Sequence, residues 1–152
     1  TVQSRTGLVV SSSGGLGRIL GAAYRVGAGA RLGRGDQWQP WIALEDAAAG
    51  LLWAIEHDDV HGPVNLTAPE PARNRDLHRL LSRAGGPPSV AVVPQLLLDR
   101  TGRAGAGGST GSIGGMLAEL LGASQRAVPQ ALLASGFRFT APDAASIWAL
   151  GT

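Results

Sequence analysis

Several groups of residues sit at spacings that chemistry can use. Gly108-Ser-Thr-Gly111-Ser-Ile-Gly114 has the G-x-x-G-x-x-G form of a dinucleotide loop. Such a loop works when a strand delivers its backbone to a pyrophosphate and a helix N-terminus receives the charge. Here Arg103-Ala-Gly-Ala-Gly precedes it in place of a strand, and no acidic residue follows at the expected distance of about 20 positions. The stretch therefore reads as a solvated insertion. His57 and His61 have the i, i+4 spacing of metal ligands, but they lie where a helix runs into Gly62-Pro63, and His78 is remote. A solvated helix end is the reading, and no metal is expected. Arg75, Arg79 and Arg83 form an i, i+4 stripe behind Arg73, suited to phosphate contact or to the wet face of an amphipathic helix. Ser11-Ser12-Ser13-Gly14-Gly15 closes a buried strand and leads into a helix. Ligands of parallel sheets bind beyond the carboxyl ends of strands, so this loop is either a site or a plain turn. Trp38 and Trp41 flank Gln39-Pro40, placed to line a pocket mouth or to pack.

Composition narrows the chemistry. The chain has 152 residues, and its 13 basic residues are all arginine. Without lysine, no Schiff base, phosphate-loop lysine or Tyr–Lys proton relay can form from these residues. The net charge of +2 is too small to argue for nucleic acid. Zero Cys removes disulfides, thiolate catalysis and Cys-ligated zinc, and leans the chain towards the cytoplasm. No apolar run approaches the ~18 residues of a membrane span, so no membrane partner is expected.

These groups must be positioned by short alternating elements. Gly7–Val10 reads as a buried strand and Leu16–Val26 as a helix. The segment 27–35 reads as a Gly-rich loop, and 38–44 as extended around Pro40. Glu45 and Asp46 open the clearest helix, where carboxylates favour the positive end of the helix dipole. Leu44, Ala48, Leu51, Leu52 and Ile55 form its apolar face, and it ends near Asp58. Val64–Thr67 is a strand. Asn74 is placed as N-cap of a helix carrying Leu77, Leu80, Leu81 and Ala84. Val90–Val93 is another strand, followed by a short helix over 94–98 and a flexible Gly/Ser/Ala-rich loop over 101–115. Short helices are expected over 116–121, 129–135 (with Gly136 as C-cap) and 143–150, with Phe137–Phe139 extended. Strands alternating with helices indicate an α/β fold with parallel pairing. The entry at Thr1, almost directly into a strand, suggests a piece whose beginning lies elsewhere.

Four ordered motifs then resemble one family. Arg5-Thr-Gly-Leu-Val-Val-Ser-Ser-Ser-Gly-Gly15 is similar to the "RTGVVLSPxGG" strand and loop of extended short-chain dehydrogenase/reductases, in the branch of NAD(P)-dependent nucleoside-diphosphate-sugar epimerase-like proteins. Gly33 to Asp46 resembles its "GxGxQWxxWIHxDD" element, with Ala43 for the usual His and Glu45-Asp46 for Asp-Asp. Gly62-Pro-Val-Asn-Leu-Thr-Ala-Pro69 resembles "GPxNLTAP", and Ser124 to Phe139 resembles "GQRVxPxxLLxxGFxFxxP".

The resemblance implies the C-terminal part of a Rossmann-like parallel sheet plus a small, mostly helical substrate-side subdomain. Residues 1–70 would hold the late strands and helices, and 71–152 the substrate-side domain with the 101–115 insertion. It implies that Gly7, Leu8 and Val10 lie on the cofactor side and Ser11 and Ser12 on the substrate side, with Trp38 and Trp41 added as pocket-mouth candidates. No catalytic residue is assigned, because the family's nucleotide loop and Tyr-x-x-x-Lys pair have no counterpart here; Tyr24 has Ala28 four residues on. Gln39 stands where many sugar-nucleotide epimerases place a phosphate-holding Arg. The function implied is that of a C-terminal piece of an NAD(P)-dependent epimerase/dehydratase-like oxidoreductase acting on a small sugar-like molecule. Such a piece would be inactive alone, would bind NAD or NADP only within an intact protein, and would self-associate or pair with an N-terminal half. The alternative is a non-catalytic ligand- or protein-binding module derived from that family.

Overall fold

A computed structural model describes residues 1–11, 13–84, 87, 91–94, 121 and 123–150. Within them run β1 (Val2–Thr6), β2 (Leu8–Val10), α1 (Gly15–Arg25), β3 (Ala30–Leu32), β4 (Trp38–Gln39), β5 (Trp41–Ala43), α2 (Leu44–Glu56), β6 (Gly62–Leu66), β7 (Ala72–Arg73), α3 (Asn74–Arg83), β8 (Ala91–Val93), α4 (Gln130–Ala134) and α5 (Ala144–Leu150). The fold is mixed α/β with short parallel strand pairs, as expected. The insertion at 101–115, all but the first residue of the helix expected over 94–98 and most of that over 116–121 lie outside the described residues. Two compact units form: Thr1–Ala22 with Pro40–Ala72 and Arg126–Thr152, and Ala23–Gln39 with Arg73–Gln125.

In the first unit, β1 runs parallel to β6 in the register Val2↔Gly62 to Thr6↔Leu66. β2 runs parallel to β5, Leu8↔Trp41 to Val10↔Ala43. The expected strand at Gly7–Val10 is thus only the second half of a longer path. Its first half, Val-Gln-Ser-Arg-Thr, carries no apolar alternation and four of its residues are exposed.

α2 packs beneath these strands with an unexpected face. Its buried residues are Asp46, Ala47, Gly50 and Ala54, whereas Leu44, Leu51, Leu52 and Ile55 are exposed. This corrects the apolar face assigned from spacing. The helix is apolar nearly all round, so periodicity alone does not choose a side. Close approach chooses it. A Cβ on Gly50 would stand 3.1 Å from Leu66 Cδ2 and 3.3 Å from Leu132 Cδ1, so only the stripe of small residues lets α2 lie against β6 and α4. Around that contact Ile42, Ala47, Ala54, Val60, Val64, Leu66, Leu132 and Phe137 form the core.

The expectation for Asp46 changes too. It is buried, and its two carboxylate oxygens accept the N–H groups of Thr140 and Ala141, each at 2.8 Å. The acid at the head of α2 is therefore the clamp that holds the C-terminal segment. Beyond it, Trp148 of α5 meets Trp41 edge-on with ring centroids 5.8 Å apart. Phe137 and Phe139 are not paired as a strand; their rings meet perpendicularly at 4.8 Å.

α5 opens on a local cap. Asp143 Oδ1 accepts the Ser146 N–H at 2.8 Å and the Ser146 hydroxyl at 2.9 Å. These donors hold the Asp143 carboxyl below its ordinary value of 3.8. A lowered folded pKa gives stability that is complete above the ordinary value and disappears as pH falls through the folded one. Amide exchange across α5 should therefore accelerate as pH drops below about 4, beyond the intrinsic pH effect. In Asp143→Asn that extra acceleration should vanish.

In the second unit, β3 runs parallel to β8, Ala30↔Ala91 to Leu32↔Val93. Asn74 does not cap α3 as expected. It is the first helical residue, and its Oδ1 accepts the buried Leu32 N–H at 3.0 Å. The N–H groups of Asn74 and Arg75 are taken by the Gln37 and Gly35 carbonyls, both at 2.9 Å. Gly35 has φ +72°, and a Cβ there would lie 2.7 Å from Arg75 Cβ, so this loop requires glycine.

Candidate functional site

The chain path through Gly7 organises the predicted cofactor-side residues. The Gly7 N–H donates to Leu66 O of β6 at 2.9 Å, and the next N–H, of Leu8, donates to Pro40 O at 2.7 Å. Trp41 O in turn accepts the Ala68 N–H at 2.7 Å. Pro40-Trp41 thus enters as a wedge between β2 and the residues that follow β6. The wedge is tight enough that a Cβ on Gly7 would stand 2.1 Å from Pro40 O and 3.0 Å from Thr67 Cγ2. Parallel strands separating at their carboxyl ends make the crevice in which α/β proteins bind ligands.

Gly7 and Leu8 lie at this crossing with Trp41 opposite Leu8, whereas Val10 and Ser11 lie at the other end of β2. Val10 is buried, and Leu8 is partly exposed beside Trp41 in the ladder. Ser11 is partly exposed, and its Oγ shares a hydrogen bond with Ser13 Oγ at 2.7 Å. Gly17 keeps α1 close to this turn, since a Cβ would come within 2.9 Å of Val10 Cγ1. Trp41 is buried against Trp148. Ser12 lies outside the described residues. Trp38 belongs to the other unit, where Arg73 stacks over its ring, Cζ 4.4 Å from the centroid.

Thr67 went unnoticed in the sequence, although it directly follows an apolar strand. It is buried, and neither its hydroxyl nor the Trp41 indole N–H has a hydrogen-bond partner among the described residues. Unpaired polar atoms in a packed region are costly and mark places where a polar ligand atom or water is accommodated.

The arginine stripe resolves into ion pairs. Asp36 Oδ1 meets Arg75 at 2.7 Å and Arg73 at 3.7 Å, while its Oδ2 meets Arg34 at 3.3 Å. Asp76 meets Arg79 at 3.6 Å. The pairs from Asp36 to Arg73 and Arg75 tie the 33–37 loop to the start of α3, and partly exposed pairs such as these contribute little stability individually. Gln39, in the place of a phosphate-holding Arg, is buried and donates from Nε2 to Leu121 O at 2.9 Å. Tyr24 donates or accepts at His78 Nδ1, 2.9 Å away, and burial pushes its hydroxyl up to about 12. No group of three metal-ligating side chains occurs among the described residues.

The fold is mixed α/β with short parallel strand pairs, and its likenesses are to epimerase family proteins. Residues 113–147 match the family described as "Domain of unknown function (DUF1731)". An epimerase family protein of Mycobacterium bovis, Mb2239, is 37% identical over 138 residues, which is 91% of this chain and 42% of that protein. Human epimerase family protein SDR39U1 (isoform 2), solved with NADPH, superposes with a TM-score of 0.74 at 26% identity, covering 97% of this chain and 46% of that one. The nucleoside-diphosphate sugar epimerase of Corynebacterium glutamicum superposes with a TM-score of 0.68 at 27% identity, covering 99% and 26%. The chain is similar to these epimerase family proteins over a C-terminal part of them. It spans less than half the length of the curated relatives it matches.

Proposed function

We propose that this chain is the strand-end and substrate-side part of an NAD(P)-dependent epimerase/dehydratase-like oxidoreductase, acting on a small sugar-like molecule and inactive by itself. The observation that carries the reading is its alignment, over 91% of its length, with relatives more than twice as long. The NADPH held by the human neighbour supports NADP or NAD as the cofactor, which when bound accepts and returns a hydride. In this reading Gly7, Leu8 and Val10 form the cofactor-side wall: Gly7 lets the backbone approach closely, and Leu8 and Val10 supply apolar surface that excludes water. Ser11 and Ser12 offer hydroxyls to the substrate. The unpaired Thr67 hydroxyl and Trp41 indole N–H support a polar ligand group near Gly7.

The residue inventory supports inactivity. A chain with no Lys cannot supply the Tyr–Lys pair, so proton transfer at the substrate must be served by residues elsewhere. No helix among the described residues is long and apolar enough to cross a membrane. A cytoplasmic location is part of this reading.

Titration of the purified chain with NADPH, followed by cofactor fluorescence and thermal shift, tests the reading. NADPH at 1 mM should raise Tm by less than about 1 °C, the shift expected when ligand concentration stays below Kd. Micromolar binding by these 152 residues would contradict it.

A further inference from the structure

Two glutamines of the second unit use only half of their side-chain amides. Gln39, in β4, is 1% exposed, and its Nε2 donates to Leu121 O at 2.9 Å. Gln37, just before β4, donates from Nε2 to Leu32 O at 3.2 Å. Both partners are main-chain carbonyls, which only accept, so the NH2 end of each amide must face them and neither amide can be turned round. Gln37 Oε1 and Gln39 Oε1 therefore point away from those carbonyls. Both oxygens are buried and have no hydrogen-bond partner among the described residues. The main chain between them is tied down: the Trp38 N–H donates to Ser124 Oγ at 3.2 Å, and Trp38 O accepts the Gln125 N–H at 3.0 Å. Gln37 O accepts the Asn74 N–H at 2.9 Å. Side chains two apart in an extended segment leave on the same side, about 6.6 Å apart at their Cα atoms. Trp38 leaves on the other side, where Arg73 stacks over its ring. All these residues belong to one unit.

We propose that Gln37 and Gln39 form a subsite that accepts two hydroxyl groups from an uncharged polyol portion of the substrate and turns phosphate away. The proposal deepens the functional reading above and rests on it. A buried acceptor without a donor bears its full desolvation cost, and a ligand donor relieves that cost. The chemistry of the pair selects the donor. An amide oxygen accepts and never donates, so a hydroxyl completes it. An ionised phosphate or carboxylate brings only further lone pairs and negative charge, and is repelled in a buried setting. Discrimination should be steep, because a site built to bond a hydroxyl is left with unpaired buried groups when an analogue lacks it. Gln39 adds rigidity, since its bond to Leu121 O fixes the direction of its free oxygen.

The test titrates the purified chain, without cofactor, with D-glucose and with glycerol as a smaller polyol. NMR follows the side-chain carbonyl carbon resonances of the two glutamines, which respond to a hydrogen bond at Oε1. At least one polyol should move both resonances along a single saturable curve. Tetrahydropyran, a ring of similar shape with no hydroxyl, and inorganic phosphate should leave them unmoved at the same concentration. Gln37→Met keeps the length of the side chain and removes the acceptor, and it should weaken polyol binding at least about 10-fold. The titration of the parent chain decides the matter even where the variant fails to fold. Resonances that neither polyol moves up to about 100 mM would overturn the proposal, the two oxygens then being served by water alone. So would a phosphate response equal to the polyol response, or a folded Gln37→Met chain that binds polyol normally. NADPH binding is read separately, in the chain joined to the unmatched remainder of the Mycobacterium bovis relative. Polyol binding here with no NADPH binding there contradicts the functional reading and leaves the subsite standing; the reverse pair of results removes the subsite alone.

Discussion

Gly7→Ala should destabilise the chain by about 3 kcal/mol or more, above the usual range for overpacking by one methyl group. The usual cost is moderated because neighbouring side chains shift. Here the nearest atom is a main-chain carbonyl, Pro40 O, at 2.1 Å from the new Cβ, with Thr67 Cγ2 behind it at 3.0 Å. That carbonyl is also the acceptor for the Leu8 N–H, so relieving the clash pulls β5 away from β2 and breaks their first hydrogen bond. Both terms act in the same direction. Urea unfolding should show a reduced midpoint with the slope unchanged. Gly14→Ala is the control: a Cβ there meets nothing within 4 Å, and its stability should remain within about 0.5 kcal/mol of the parent. A Gly7→Ala chain as stable as the parent would mean that Pro40-Trp41 is not wedged as described, and the site built on that crossing would fall with it.

Asp46→Ala carries the second large effect. Its carboxylate is buried and satisfies two backbone donors, Thr140 and Ala141 N–H, in a segment that reaches it from more than 90 residues away. Hydrogen bonds to a charged group contribute about 1.5–3 kcal/mol each, and a buried donor left without a partner adds its own desolvation cost. A loss of about 3–5 kcal/mol follows, in the range found when one side of a buried charged interaction is removed. The pattern of damage is more diagnostic than its size. Amides 140 and 141 should lose protection first, and the Trp41–Trp148 contact should loosen with them, seen as a change in tryptophan fluorescence. Asp46→Asn keeps one acceptor oxygen and should fall between the two. Uniform loss of protection across the whole chain, with 140 and 141 no more affected than the rest, would contradict the clamp.

These two residues also show what could be read from the sequence. The resemblance puts Gly7 on a strand with a cofactor-side role, but its wedge depends on Pro40, far along the chain, and long-range backbone approach leaves no local pattern. Asp46 was recognised as an acid at a helix start, which is where its sequence neighbours put it. Its partners are backbone amides, and any residue types at 140 and 141 would have served. The exposed stripe of α2 misleads for a physical reason: its Leu and Ile lie on the outer face while the inner face carries small residues, and the decisive one is Gly50, whose missing side chain sets the distance to Leu66 and Leu132. β1 was invisible because Gln3, Ser4, Arg5 and Thr6 are polar, and strand propensity reports burial that this strand does not have. By contrast, α1, α2 and α3 were placed within one or two residues, since their apolar spacing and Gly or Pro stops are local.

The absence of lysine gains meaning beside these elements. Family resemblance gives the chain a strand end suited to a cofactor and a loop suited to a substrate, yet the residue inventory contains no proton-relay lysine. In the proposed reading, the chain supplies positioning residues and a separate part supplies the group that uses them.

The most direct test of that account compares NADPH affinity in two samples: the chain alone, and the chain linked to the unmatched remainder of the Mycobacterium bovis relative. The account predicts no saturation up to about 1 mM for the first and a Kd at least about 100-fold lower for the second, weakened again by Gly7→Ala. Equal affinity in the two samples, whether tight or absent, would contradict it.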